Sequence, residues 1–100
     1  MIRWVDNLSE LYSFIGYVVV GAPDRFPTED YLPADEQMTL DRAFSELREG
    51  MRFVPPRAHE PGFHETLSAH LDAALASYRA GDVKAGAHRL QELRRQIFSN

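Results

Sequence analysis

The 100-residue sequence predicts an all-α protein, a small up-and-down four-helix bundle that ends in an antiparallel helical hairpin. All six prolines fall in two short stretches, residues 23–33 and 55–61. Proline interrupts helices because it lacks an amide proton and clashes with the preceding turn. The prolines leave three proline-free blocks, residues 1–22, 34–54 and 62–100. Each block carries apolar residues at the three- and four-residue spacing of amphipathic helices, and Gly81 divides the last one. A chain of this length is typical of one domain, so we predict a single helical domain over residues 1–100.

The first helix is predicted from about Asp6 to Val20. Its apolar stripe comprises Trp4, Leu8, Leu11, Ile15, Val18 and Val19, and Tyr12 widens it. Asp6 or Asn7 is expected to cap its start. The β-branched residues 17–20 are also compatible with a short strand, but the sequence offers no second strand to pair with it. Helix is therefore favoured, with Gly21 as its C-terminal cap.

The first connector, residues 22–33, is long for a link between two helices. It combines Asp24, Glu29 and Asp30 with the aromatic residues Phe26 and Tyr31. We expect both aromatic side chains to pack onto the helices and tether the connector.

The second helix is predicted from about Ala34 to Glu49, with Pro33 at its first turn and acidic residues at the positive end of the helix dipole. Its apolar stripe comprises Leu40, Ala43, Phe44, Leu47 and Met51. Gly50 is expected to end the helix. Residues 51–54 should leave in an extended conformation, since residues before proline avoid helical angles.

The third and fourth helices are predicted over residues 62–80 and 82–98. Gly81 suits a left-handed cap and Asp82 suits the start of the next helix, so the two helices form a hairpin. Their apolar stripes comprise Phe63, Leu67, Leu71, Ala74, Leu75 and Tyr78, then Val83, Ala87, Leu90, Leu93, Ile97 and Phe98.

The expected core comprises Leu8, Leu11, Ile15, Phe44, Leu47, Leu67, Leu71, Tyr78, Leu90, Leu93 and Ile97. Trp4 and the wide apolar face of the first helix leave surplus hydrophobic surface. We expect the connectors or a second copy of the chain to cover it.

Composition excludes several classes of function. The chain has no cysteine, so disulfides, cysteine-based zinc sites and thiol catalysis are ruled out. The N-terminus lacks the unbroken apolar centre of a signal peptide, and the longest apolar stretch, Tyr17 to Pro23, is far too short to cross a membrane. We therefore expect a cytoplasmic protein with no membrane partner.

Charge is distributed unevenly along the chain. Residues 1–50 hold ten acids and four arginines, whereas residues 51–100 hold five acids and seven bases, for a net charge of −4. Such asymmetry bears on partners rather than on fold. A nucleic-acid partner is not expected, because few cations are available to neutralise phosphates.

Two exposed surfaces are candidates for binding a partner. Lys84, His88, Gln91 and Arg95 recur at helical spacing and share one face, with Arg94 beside it. This face is either simply solvated or a docking surface for an acidic partner, the chain's own acidic connector included. In the connector, Phe26, Asp30 and Tyr31 either complete the core or anchor a basic partner.

The four histidines, His59, His64, His70 and His88, lack the spacing of a metal site within one helix. Only contacts across the hairpin would join His88 to a second ligand. The segment from Ala87 to Leu90 is similar to the phosphorylated-histidine motif of histidine phosphotransfer domains, which are helical bundles. That resemblance implies a phosphoryl group on His88. The family continues with a lysine and a small residue, where this chain has Gln91 and Glu92.

No motif for catalysis occurs in the sequence. We therefore predict a small non-catalytic interaction or regulatory protein without a cofactor, which binds another protein or a second copy of itself. A histidine-based phosphotransfer or metal-binding domain that uses His88 is the alternative. The predicted partner-binding residues are Lys84, His88, Arg94, Arg95, Phe26, Asp30 and Tyr31.

Overall fold

A computed structural model describes residues 4–22, 24–57 and 59–98. Within them lie four α-helices: α1 (Leu8–Gly21), α2 (Leu40–Gly50), α3 (Phe63–Arg79) and α4 (Val83–Phe98). Two short 3₁₀ helices flank α2, Ala34–Glu36 before it and Met51–Phe53 after it. No strand occurs in the described residues, so residues 17–20 belong to α1. The all-helical prediction is confirmed.

Helices α3 and α4 form the predicted hairpin. Gly81 has a φ of 85°, a left-handed conformation that costs glycine little because it has no β carbon. The Asp82 carboxylate then accepts a hydrogen bond from the Ala85 amide at 3.1 Å and caps the start of α4. One residue thus reverses the chain and the next starts the new helix.

Helix α2 runs antiparallel to α3. Arg79, at the end of α3, donates to Asp41 at the start of α2 at 2.6 Å, and Arg48, near the end of α2, pairs with Asp72 further back on α3. Between these pairs, the ring of Phe44 lies edge-on to Tyr78 with centroids 6.1 Å apart.

Helix α1 closes the bundle by packing on both α2 and α4. Tyr12 contacts Phe98, whereas Gly16, one turn further along α1, lies beneath Arg94. Residue numbers therefore fall along α4 as they rise along α1, and these two helices are antiparallel. Each pair of neighbouring helices thus runs in opposite directions, as in an up-and-down bundle.

The core lies between the four helices, and ten of the eleven predicted core residues are buried. Leu8 is the exception, being half-buried at the first turn of α1. On α4, the apolar stripe is shifted from the predicted one, because Val83 is 43% exposed whereas Gly86 is buried. No helix in the described parts of the chain is both long and apolar enough for a membrane span.

Asn7 caps α1, which settles the choice between Asp6 and Asn7. Its side-chain oxygen accepts from the Glu10 amide at 2.8 Å, and the Glu10 carboxylate accepts from the Asp6 amide at 2.7 Å. The reciprocal bonds satisfy free amides at the helix start.

The predicted role of Gly21 as a cap residue outside the helix is wrong. Gly21 is the last residue of α1, and Ala22 caps the helix with extended angles, φ −72° and ψ 148°. A β carbon at residue 21 would lie 2.6 Å from Cδ1 of Phe26. Glycine here allows the connector to cross close over the end of α1.

The predicted start of the second helix is also wrong, whereas Gly50 ends the helix as predicted. Residues 34–36 form a single 3₁₀ turn, and α2 begins only at Leu40, where Thr39 accepts from the Arg42 amide at 3.2 Å. Gln37 is extended, at φ −65° and ψ 154°, because its side chain holds the preceding connector. Beyond α2, residues 51–53 form a 3₁₀ turn instead of the predicted extended segment, and the chain becomes extended at Val54.

Candidate protein-docking surface on α4

The candidate site lies on the solvent side of α4. We define the basic strip as Lys84, His88, Gln91, Arg94 and Arg95. All of these side chains except Arg94 are exposed, and Arg94 is half-buried where α4 meets α1. The helical period separates them from the buried residues of α4, namely Gly86, Leu90, Leu93 and Ile97.

The positive charges of the basic strip are engaged to different degrees. The Arg95 guanidinium pairs with the Glu92 carboxylate at 3.0 Å. Arg94 lies over the ring of Tyr12, 5.0 Å from its centroid, in a cation–π contact. Lys84 forms no ion pair with any residue that the structure describes. The strip therefore has an open cation at one end and a packed one at the other.

A cleft of about 410 Å³ lies at the packed end of the strip. Tyr12, Gln91, Arg94, Arg95 and Phe98 line it, and we call it the aromatic–arginine cleft. The rings of Tyr12 and Phe98 meet edge to face at an interplanar angle of 87°, with centroids 4.9 Å apart. Tyr12 remains 48% exposed.

A second open groove, of about 520 Å³, continues from this cleft along α4 towards its first turn. Its lining includes Lys84, Ala87 and His88, and it shares Gln91 with the aromatic–arginine cleft. Together the two hollows form one surface with apolar, aromatic and cationic parts. Such a surface suits an acidic segment that carries an aromatic side chain.

The predicted connector residues occupy two different environments. Phe26 is half-buried and stacks on Tyr17, with centroids 5.6 Å apart and planes at 26°. Tyr31 is 67% exposed. The expectation that both aromatic side chains pack onto the helices is therefore confirmed for Phe26 and wrong for Tyr31.

A tight turn displays Tyr31 and Asp30 to solvent. We call it the tyrosine turn, residues 29–32, which is closed by a hydrogen bond of 3.2 Å from the Leu32 amide to the Glu29 carbonyl. The side chain of Gln37 clamps it from below. It accepts from the Glu29 amide at 2.8 Å and donates to the carbonyls of Glu29 and Leu32 at 2.9 and 2.7 Å. Leu32 is buried, so the turn is anchored at its base.

The connector and the 3₁₀ turn that follows it carry five carboxylates, those of Asp24, Glu29, Asp30, Asp35 and Glu36. None of these carboxylates takes part in a hydrogen bond or ion pair with the described residues. Burial raises the pKa of Tyr17 beneath the connector, and the nearby Glu29 carboxylate and Tyr31 phenol raise it further. Residues 24–36 therefore carry a net negative charge, with five acids and one arginine, Arg25.

The basic strip and the acidic connector lie on different sides of α1. The ring of Tyr12 contacts Phe98 on α4, whereas the ring of Tyr17 stacks on Phe26 of the connector. Five residues separate them, which places them roughly 140° apart around the helix. No hydrogen bond, ion pair or ring contact joins connector and strip within the described parts of the chain. The structure does not bring the two predicted surfaces together in one molecule.

The histidines do not converge on a metal site. His64 Nε2 lies 2.9 Å from the Val54 carbonyl oxygen and so joins α3 to the residue that follows the 3₁₀ turn Met51–Phe53. His59 and His88 are exposed, and His70 is half-buried. Among residues 4–22, 24–57 and 59–98, no three histidine or carboxylate side chains lie close enough together to hold a metal ion.

Sequence reasoning identified the cations of the site but missed its aromatic walls. Tyr12 and Phe98 were assigned to apolar stripes, as their spacing indicates. Tyr12 widens the stripe of the first helix and Phe98 ends that of the fourth, but only the pairing of α1 with α4 brings the two rings together. The clamp residue Gln37 left no signal in the sequence. No protein-family model, curated protein or solved structure matches this chain.

Proposed function

We propose that this protein is a small non-catalytic interaction protein whose basic strip docks an acidic surface of a protein partner. The observation that supports this most directly is the position of Arg94. Its guanidinium lies over Tyr12 beside Phe98, in a cleft that continues to the unpaired Lys84.

The combination of side chains matters more than the charge. An exposed ion pair contributes only about 0.2–1 kcal/mol, so a few surface cations bind a partner weakly. Tyrosine and arginine in a cleft that loses its water on binding contribute far more, and they are enriched among the residues that dominate interface energies. The aromatic–arginine cleft would thus anchor the partner, and Lys84, His88 and Arg95 would orient it.

Affinity capture from an extract of the native host at low salt tests this function. The baits are the wild-type chain, the double variant Lys84→Glu/Arg95→Glu and the control Arg89→Glu. We expect the wild type and the control to retain a protein that the double variant does not retain. The acidic surface of that protein would face glutamates in place of Lys84 and Arg95 in the double variant. If every captured protein binds the double variant as well as the wild type, the proposal is wrong.

Arg89 provides a matched control on the same helix. It is exposed, and it lies roughly 140° around α4 from Lys84 and roughly 100° from His88, the strip residue before it. Its reversal changes net charge in the same direction and leaves the strip intact. Circular dichroism of all three baits checks that each remains helical.

The phosphotransfer alternative is favoured by one observation, the exposure of His88 on a helix of the bundle. The carboxylate of Glu92 lies one turn further along α4 and pairs with Arg95, a poor setting for a phosphoryl group. Incubation with phosphoramidate, followed by mass spectrometry under alkaline conditions, tests it. Phosphorylation of the wild type that His88→Ala removes would favour this alternative over a docking role for His88.

A further inference from the structure

We propose that the acidic surface recognised by the basic strip belongs to a second copy of this chain, an inference that rests on the proposed function. Tyr31 of one copy would enter the aromatic–arginine cleft of the other. The carboxylates beside it would face Lys84 and Arg95. The bound segment is thus the tyrosine turn, residues 29–32.

The chemistry of Tyr31 matches that of the cleft. The cleft offers the edges of two aromatic rings and a guanidinium, and all three bind a phenol ring favourably. Tyr31 is a large side chain left 67% exposed at the tip of a turn. Insertion would remove its ring and that of Tyr12 from water together.

The charges are complementary in the same way. Residues 24–36 carry five carboxylates without a partner among the described residues, and Arg25 is the one cation in that segment. The strip carries Lys84, Arg94 and Arg95, offset by Glu92 and by Asp82, which lines the groove together with Lys84. Tyr31 follows Asp30 directly, and the lining of the cleft includes two arginines. Entry of the ring therefore brings a carboxylate to a cationic rim.

The tyrosine turn is held in one conformation before binding. The side chain of Gln37 donates two hydrogen bonds to the turn and accepts one from it, and the burial of Leu32 also fixes its base. A segment that is already ordered loses less conformational entropy when it docks, and affinity improves accordingly. An isolated solvated loop needs no such clamp.

A single molecule cannot make this contact with itself, because connector and strip lie on different sides of α1. Between two copies, each supplies one turn and one cleft. A two-fold axis would then make both contacts at once, so the expected assembly is a symmetric dimer.

Sedimentation velocity of the purified chain over a range of concentrations tests the inference. We expect a reversible dimer whose dissociation constant rises at least tenfold when salt is raised from about 20 mM to about 0.5 M, since screening weakens exposed charge pairs. Tyr31→Ser and Lys84→Glu/Arg95→Glu should each weaken the dimer at least tenfold. Tyr31→Phe and Arg89→Glu should leave it within about twofold of the wild type.

A charge exchange gives the sharpest form of the test. The variant Glu29→Lys/Asp30→Lys, which reverses both acids of the tyrosine turn, and the variant Lys84→Glu/Arg95→Glu should each be monomeric, because each brings like charges together. Mixed in equal amounts, they should form a heterodimer, since both turn–strip contacts then join opposite charges. Circular dichroism confirms that each variant is folded before mixing.

Two results would overturn the second-copy proposal. One is a wild-type chain that stays monomeric at low salt and high concentration. The other is a dimer that neither Tyr31→Ser nor strip reversal weakens. In both cases, a foreign acidic protein captured by the strip would still support the proposed function. The proposed function would fail as well if affinity capture from the extract also found no protein whose binding depends on the basic strip.

Discussion

The ring of Tyr78 on α3 lies directly against the backbone of Gly86 on α4. A β carbon at residue 86 would fall 2.8 Å from Cε2 and Cζ of that ring. The absence of a side chain therefore lets the two helices of the hairpin approach closely, and Tyr78 fills the space between them. This contact lies one turn beyond Asp82, at the closed end of the hairpin.

Gly86→Ala should destabilise the protein. Alanine favours helix over glycine by about 1 kcal/mol, but the added methyl group must displace the buried ring of Tyr78. Since overpacking costs about 1–3 kcal/mol and the helix preference returns about 1 kcal/mol, we expect a net loss of up to about 2 kcal/mol in the free energy of unfolding. Urea denaturation followed by circular dichroism measures it.

Gly16→Ala on α1 is the matched control. Its β carbon would meet only Nη1 of Arg94 at 3.3 Å, the far end of a flexible side chain. The helix preference should therefore prevail and leave stability unchanged or raised by up to about 1 kcal/mol. Equal destabilisation by both alanines would contradict the close-approach argument for Gly86.

Arg57 holds the end of α4, and its replacement should loosen that end. The guanidinium donates to the carbonyls of Gln96 and Ile97 at 2.7 and 3.1 Å and lies 4.1 Å from the ring centroid of Phe63. Both carbonyls belong to the last turn of α4, where carbonyls commonly need partners from outside the helix. We expect Arg57→Ala to cost about 1–2 kcal/mol in urea denaturation.

Two variants separate the contributions of Arg57. Arg57→Lys keeps the charge but loses the planar fork, so its cost should be intermediate. Arg52→Ala removes an exposed arginine that lies over Phe53 at 4.9 Å, and it should change stability by less than about 0.5 kcal/mol. A cost for Arg52→Ala as large as that for Arg57→Ala would argue against the capping role.

Tyr78 should make the fold sensitive to alkali. Burial raises the pKa of its hydroxyl to about 12, from an ordinary value of 10.0, and that hydroxyl has no hydrogen-bond partner in the described residues. The folded state therefore favours the neutral phenol. Its contribution to stability is fully present below about pH 10 and is lost as the pH rises towards about 12.

Tyr78→Phe removes this titration. We expect the free energy of unfolding of the wild type to fall more steeply than that of the variant between about pH 10 and 12. At neutral pH the variant should be at least as stable, because an unpaired buried hydroxyl is removed. Parallel pH profiles for the two proteins would refute this role of Tyr78.

Gln37 should control the order of the tyrosine turn more than the stability of the bundle. Gln37→Ala removes all three clamping bonds, whereas Gln37→Glu keeps the acceptor for the Glu29 amide and loses both donations. Global stability should fall by about 1 kcal/mol in each. Hydrogen exchange of the Glu29 amide should accelerate strongly in Gln37→Ala and less in Gln37→Glu. Unchanged exchange in both would show that the clamp does not order the turn.

The predicted site could be recovered from the sequence only in part. The helical period places Lys84, His88 and Arg95 on one side of α4, and their exposure follows because the apolar stripe claims the other side. The helical period of α4 does not show which of the other helices packs against each side of it. Tyr12 therefore belongs to an apolar stripe in sequence, yet in space it forms a wall of a cleft with Phe98.

The start of α2 shows a different reason for a wrong prediction. Pro33 and the two acids after it are typical of a helix start, and residues 34–36 do make one 3₁₀ turn. Gln37 then turns its amide to the connector instead, and Thr39 provides a second capping site three residues before Arg42. The sequence therefore offers a helix start at two places, after Pro33 and after Thr39. The contacts of Gln37 with Glu29, eight residues earlier, lie between them and favour the second start.

The sequence by itself determined the number of helices, the hairpin at Gly81 and most of the core, because prolines and apolar spacing act through neighbouring turns of one helix. Tertiary structure alone decided that Gly86 and Gly21 mark close approaches, that Tyr31 stays in solvent and that Tyr12 meets Phe98. Each of these depends on which helix or connector passes over a given face. That is a property of packing between distant segments, which the period of a single helix does not encode.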